Sequence, residues 1–181
     1  MPPHEEDAVE PGRRQTTGPE RLRMLRAGGT GTLPGERVEV TGAGLEPAPA
    51  DVAAALGVAE GTPVVRRRRR YADERGPVAL STSWLPGFLA DEAPELLSPE
   101  PLPAMTFGLV EERTGRRVVR RRDAISVCRA PDDVATLLGV AAGEPVLLWS
   151  NLYWDQHGDV TEYATDFLGP GRELAAEYDM P

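Results

Sequence analysis

The strongest constraint on this chain is that it uses one segment twice. Shifting the sequence by 82 positions lays Asp51–Val78 on Asp133–Val160 without a gap, and 14 of the 28 positions coincide. The copies open DVAAALGVAEGTPVV and DVATLLGVAAGEPVL. Solenoid repeats are shorter and more numerous than this. Two copies so far apart point instead to a duplicated supersecondary unit inside one domain.

One copy shows what the unit is. Ala50–Val58 has alanines and a leucine at helical spacing after a Pro–Ala–Asp start, and Gly57 stands where a helix should stop. Glu60-Gly61 marks a turn, and Pro63–Tyr71 is an extended run. Asp73–Gly76 is a second turn, and Pro77–Leu85 alternates like a returning strand. Each copy therefore reads as helix, strand, turn, antiparallel strand. Two copies predict an α+β domain: an antiparallel sheet of at least four strands with packed helices, built from two pseudo-repeated helix–strand–strand units.

Around the copies, Arg37–Val40 alternates and is expected to be an edge strand. Pro86–Leu102, rich in proline, reads as loop and short turns. Pro103–Glu112 reads as a helix ending before Gly115, and Arg116–Arg129 as a long strand. Arg172–Tyr178 is expected to add a last helical turn or two. Residues 1–35, rich in Pro, Gly, Glu and Arg, are expected to form a flexible arm or linker, with Gly28–Gly35 as its joint. Within it, Pro19–Arg26 is long enough for two helical turns, a marginal length without tertiary support. The folded domain is expected to span 36–181.

Composition excludes several classes. A net charge of −9 gives the chain no global attraction to a phosphate backbone. Cys128 is the one cysteine, so no internal disulfide can form, and with only His4 and His157 beside it no zinc site is expected. No metal or other cofactor is anticipated. There is no signal sequence and no apolar run near 18 residues, so a cytoplasmic, non-membrane protein is expected.

The chemistry centres on Arg66–Arg70. In a strand, Arg66, Arg68 and Arg70 share one face and Arg67 and Arg69 the other. Same-face neighbours about 7 Å apart repel by roughly 2 kcal/mol at an effective dielectric near 20. An anionic partner should offset that, because arginine forks match carboxylate and phosphate. The plainer alternative is an edge strand whose arginines face water. Arg120–Arg122 read as a solvated face, and Trp149, Tyr153 and Trp154 as core. Glu162 and Asp166, four apart, share a face if their segment is a strand.

The order of these motifs carries a resemblance. The DVAAALGV…GTPVV unit runs into RRRRRYADERGPVALSTSWLP, then AMTFGLVEERTG, then LGV…GEPVL and YWDQHGDVTEYATDF. From about Glu36 to Arg172 this is similar to the UTRA domain, the effector-binding domain of HutC-type regulators in the GntR family of bacterial transcription factors. The resemblance implies a chorismate-lyase-like fold, a homodimer, and a small-molecule, commonly anionic, effector held in a cleft. DNA would be bound only through a winged helix-turn-helix domain, a pattern the residues ahead of Glu36 do not show. The family's R-x-R pair falls on Arg68 and Arg70. Its strand glutamate falls on Ser81, its helix-start serine on Thr106, and its second-copy glutamate is retained as Glu162. Two alternatives stand beside this reading: a chorismate-lyase-like enzyme, and an assembly-only domain with a vestigial cleft.

Overall fold

The computed structural model describes residues 35–175, together with 14–16, 23, 26 and 32. Most of the expected arm therefore lies outside the described residues. So do residues 176–181 and nearly all of the Gly28–Gly35 joint.

The order is β1 (Arg14–Thr16), β2 (Arg37–Pro47), α1 (Ala50–Leu56), β3 (Pro63–Asp73), β4 (Gly76–Pro86), α2 (Leu89–Glu92), a 3-10 turn (Pro94–Leu97), α3 (Thr106–Thr114), β5 (Val118–Arg129), α4 (Asp132–Leu138), β6 (Pro145–Asp155), β7 (Val160–Leu168) and β8 (Glu173–Ala175). Six strands form one sheet in the order β2-β3-β4-β7-β6-β5, every neighbouring pair antiparallel. This is the expected α+β architecture. At the chain's end the expected helical turns are replaced by β8, which pairs in parallel with β1.

The duplication is larger than the sequence identity. Adding 82 carries α1 onto α4 and β3 onto β6 residue for residue, and lays β2 over β5 and β4 over β7 to within two residues at their starts. The unit is thus strand–helix–strand–strand, one strand longer than expected. The two units meet in the β4–β7 pair, where Thr82↔Thr165 and Ser83↔Ala164 exchange under the same offset. The pseudo-twofold axis passes between them. Gly57 and Gly139 close α1 and α4 with φ of 71° and 70°, a left-handed C-cap that glycine adopts without a Cβ clash. Each unit's hairpin aspartate is then clamped by an arginine from outside the unit. Arg172 holds Asp73 through two bonds of 2.6 Å, and Arg116 holds Asp155 at 2.7 Å. Arg172 accordingly holds the Asp73 carboxyl below its usual range.

The sheet is covered on both faces. On one, α1 packs Val52, Ala53 and Leu56 on Val64, and α4 packs Val134 and Leu138 on Leu80. On the other, α2, the 3-10 turn and α3 bury Leu89, Leu96, Leu109 and Val110 over Val65 and Leu85. Because β3 lies between β2 and β4, its arginines are not on an edge strand.

Candidate functional site

Strand alternation splits the five arginines, and the two sets meet different surroundings. Arg66 and Arg68 face α1 and α4. Arg66 lies over the Trp84 ring and reaches Glu46 at 3.2 Å, while Arg68 pairs with Asp133 of α4 at 2.7 Å. Arg70 shares their side of the strand by the same alternation.

Arg67 and Arg69 point under the cover of α3 and the segment before it, and are 0% and 8% exposed. Arg67 donates to four carbonyls: Glu95 at 3.2 Å, Leu96 at 2.8 Å, Ser98 at 2.6 Å and Glu100 at 2.9 Å. It thereby pins the 3-10 turn and the strand-free stretch behind it. Burial and the neighbouring Arg69 push the Arg67 guanidinium down to about 10, so it stays charged at neutral pH. Arg69 donates to Ser83 at 2.6 Å, Thr106 at 3.3 Å and Ser81 at 3.4 Å. Burial alone would lower its pKa, but Tyr71, Glu162 and Asp166 outweigh that and raise it.

Three of the five expected site residues, Ser81, Thr106 and Glu162, therefore gather around Arg69. Arg68 and Arg70 stand on the opposite face. A β-bulge is the cause. At the hairpin's turn Asp73 faces Gly76, a register that would set Ser81 opposite Arg68; Val78 is an extra residue, and above it Ser81 faces Arg69.

The same face continues into the second unit. Glu162, 3% exposed, lies near Arg69, Ser83 and Arg121; burial pushes its carboxyl up, and those three partners only partly oppose it. Asn151 donates to Asp166 at 2.9 Å, so the two carboxylates expected to share a face do so in a buried polar layer. Arg121 corrects the expectation of a solvated Arg120–Arg122. Its side chain is 7% exposed, pairs with Asp123 at 2.8 Å, donates to Asn151, and lies over the rings of Trp149 and Tyr153. Trp149 and Tyr153 are buried as expected, whereas Trp154 is half-buried under Arg120. Glu162 Oε2 and Arg121 Nη1 have no hydrogen-bond partner among the described residues.

Beside Arg69 a cavity of about 160 Å³ opens between β2, β3 and the segment leading to α3, lined by Glu36, Val38, Arg67, Tyr71, Leu102 and their neighbours. Neither Arg67 nor Arg69 forms an ion pair with a carboxylate among the described residues. Two adjacent buried cations, hydrogen-bonded only to neutral acceptors, make that side of the space electropositive, with Glu36 on its wall as the counterweight. No cluster of metal-ligating side chains occurs among the described residues. No helix among them is long and apolar enough to cross a membrane.

Residues 36–169 match the UTRA domain family. The chain is 32% identical over 126 residues to the HTH-type transcriptional regulator Rv0792c of Mycobacterium tuberculosis, a match covering 70% of this chain and 46% of that protein. It therefore spans less than half of that relative. The fold superposes on the ligand-binding domain of a candidate GntR-family transcriptional regulator from Bordetella bronchiseptica, with TM-score 0.63, 26% identity, and coverage of 75% and 85% of the two chains. It also superposes on the effector domain of PhnF from Mycobacterium smegmatis, with TM-score 0.70, 22% identity, and coverage of 92% and 99%. The second likeness speaks for the fold. With the family matched over most of the chain, this protein belongs to the UTRA domain family, whose relatives here are regulatory domains of GntR-type transcription factors.

Proposed function

We propose that this chain senses an anionic small-molecule effector, with Arg69 as the anion's main contact and Thr106, Ser81 and Glu162 around it. In this reading the domain is a homodimer, and effector binding biases the arrangement in which a separate winged helix-turn-helix domain grips DNA. The relatives are regulator domains, which favours a sensor over an enzyme. The observation that carries the proposal is the buried Arg67–Arg69 pair, which has a cavity beside it and no carboxylate bonded to either member. Arg67 is committed to four carbonyls, which leaves Arg69 as the adaptable cation: its hydroxyl partners can rotate to share it with an incoming oxyanion. Glu162 gives the site a pH dependence. An anion near a carboxyl favours its protonated form, so binding is expected to tighten as pH falls.

A thermal-shift screen against inorganic phosphate, sugar phosphates and carboxylates tests this. At 100 times its dissociation constant a ligand adds about 2.7 kcal/mol to stability. Such a shift should appear in the native chain and in Arg68→Ala and Arg70→Ala, and vanish in Arg69→Ala. A shift that survives Arg69→Ala places the ligand elsewhere. One lost in Arg68→Ala or Arg70→Ala returns the site to the helix-covered face.

A further inference from the structure

The duplication supplies an internal control for a second cavity, at the opposite end of the sheet from the 73–76 turn. A cleft of about 560 Å³ lies where the C-terminal end of α1, the entry to β3, the exit of β4 and the entry to β7 converge. Its walls are mostly apolar, with Leu56, Val58, Pro63, Pro86, Phe88 and Val160 among them. The pseudo-twofold carries it onto a smaller cavity of about 250 Å³. Six of that cavity's lining positions, from Val140 to Pro170, are Val58, Thr62, Pro63, Pro86, Gly87 and Phe88 advanced by 82.

The two ends differ in three ways. At the second-unit end the chain continues through Gly171 to Arg172, and these residues line the space and reduce it. At the first-unit end it turns away into α2 and the cleft stays open. The second difference is Thr161, which lines the open cleft, is 3% exposed, and has a hydroxyl with no hydrogen-bond partner among the described residues. Its counterpart 82 positions earlier is Ala79, which has no hydroxyl to satisfy. The third is charge. At the smaller cavity Arg172 is clamped by Asp73; at the open mouth Arg116 is held by Asp155 at 2.7 Å, also reaches Asp159 at 3.1 Å, and lies over the Phe88 ring.

We infer that the open cleft is a second small-molecule site, separate from Arg69, for an uncharged, largely apolar ring compound bearing one hydrogen-bonding group. Its volume falls in the range of natural ligand pockets, about 300–1,000 Å³, which are apolar with a few placed polar groups. Thr161 is the placed polar group, since a buried hydroxyl without a partner is costly and a ligand atom would satisfy it. Asp155 and Asp159 already compensate the Arg116 charge, so the mouth offers an anion no uncompensated cation. The site therefore does not favour the ligand class proposed for the Arg69 cavity.

The test uses the full chain and N-phenyl-1-naphthylamine, a neutral fluorescent probe with two apolar ring systems and one N–H. Saturable binding at one probe per chain is expected, undisturbed by inorganic phosphate and retained in Arg69→Ala. Thr161→Val keeps the shape and removes the hydroxyl. It should weaken the probe about fivefold, the equivalent of one net hydrogen bond, while leaving the unliganded protein as stable or more so. Val58→Trp fills the cleft and should abolish binding; if that variant does not fold, Thr161→Val decides alone. Absent or non-saturating fluorescence, or an affinity unchanged in Thr161→Val, overturns the assignment.

Discussion

Two sets of arginines leave one strand in opposite directions, and their surroundings differ in kind. Arg66 and Arg68 meet ionised partners at the surface, Glu46 and Asp133, and Arg66 also lies over the neutral Trp84 ring. Arg67 and Arg69, the more buried set, meet only neutral oxygens, four carbonyls and three hydroxyls. Burial would ordinarily demand a counter-charge more strongly than exposure does. Here the bonded carboxylates are outside, while Glu162 and Asp166 lie near Arg69 without an ion-pair contact to it. The interior pair thus divides its labour: Arg67 uses its charge to hold a loop together, and Arg69 keeps its own available.

The comparison predicts unequal costs within one run of identical residues. Arg67→Ala should be the most damaging substitution in the strand, at about 3–5 kcal/mol, because it strands one buried and three partly buried carbonyls and leaves a cavity. Arg67→Lys should recover little, since one ammonium has three donors and no planar fork to span acceptors on both sides. Urea unfolding followed by circular dichroism measures both. A loss under about 1 kcal/mol for Arg67→Ala would mean that the loop from Glu95 to Glu100 holds itself.

Glu162 sharpens the contrast through pH. Its folded pKa lies above the unfolded value of about 4.3, because burial outweighs Arg69, Ser83 and Arg121. Between those two values the folded state holds more protons than the unfolded one. Stability therefore falls as pH rises through that window, and the cost is complete above the folded pKa. A tenfold difference in proton affinity corresponds to about 1.4 kcal/mol. Glu162→Gln cannot titrate and should lack this decline. Urea midpoints from pH 4.5 to 8 should therefore drift downwards for the native chain relative to the variant, and parallel curves would show that Arg69 neutralises Glu162 fully.

Much of this was legible in the sequence, and the misses have physical causes. Identity between the units ends at Val78 and Val160, yet the fold repeats from β2 to the end of β4. The shared stretch holds the left-handed cap glycines and the packed helix faces, where few residues fit. β2 and β5 are outer strands with many exposed side chains, where almost any residue serves. The resemblance groups Ser81, Thr106 and Glu162 with Arg68 and Arg70, whereas the fold gathers those three around Arg69 and sets Arg68 and Arg70 on the other face of the strand. Five identical residues carry no phase of their own, and the bulge at Val78 that sets the phase contains no glycine to announce it. Arg121 was missed for a similar reason. Only its pairing opposite Tyr153, on the face of Asp123 and Asn151, distinguishes it from Arg120 and Arg122.

The smallest expected effect is the one that closes the comparison. Asp133 is 62% exposed, so the Arg68–Asp133 pair sits at the high-dielectric surface, where such pairs contribute about 0–1 kcal/mol and are screened by salt. The Arg68 side chain is better covered, at 14% exposure, beside Thr82, Trp84 and Val134. Arg68→Met keeps that apolar contact and removes only the charge. It should therefore change stability by less than about 1 kcal/mol, with the difference shrinking further in 1 M salt. The same measurement on Arg68→Ala separates packing from charge. If Arg68→Met instead costs as much as Arg67→Ala, the exposed carboxylate matters as much as the carbonyls that Arg67 holds, and the division of the strand into a structural face and a solvent-paired face fails.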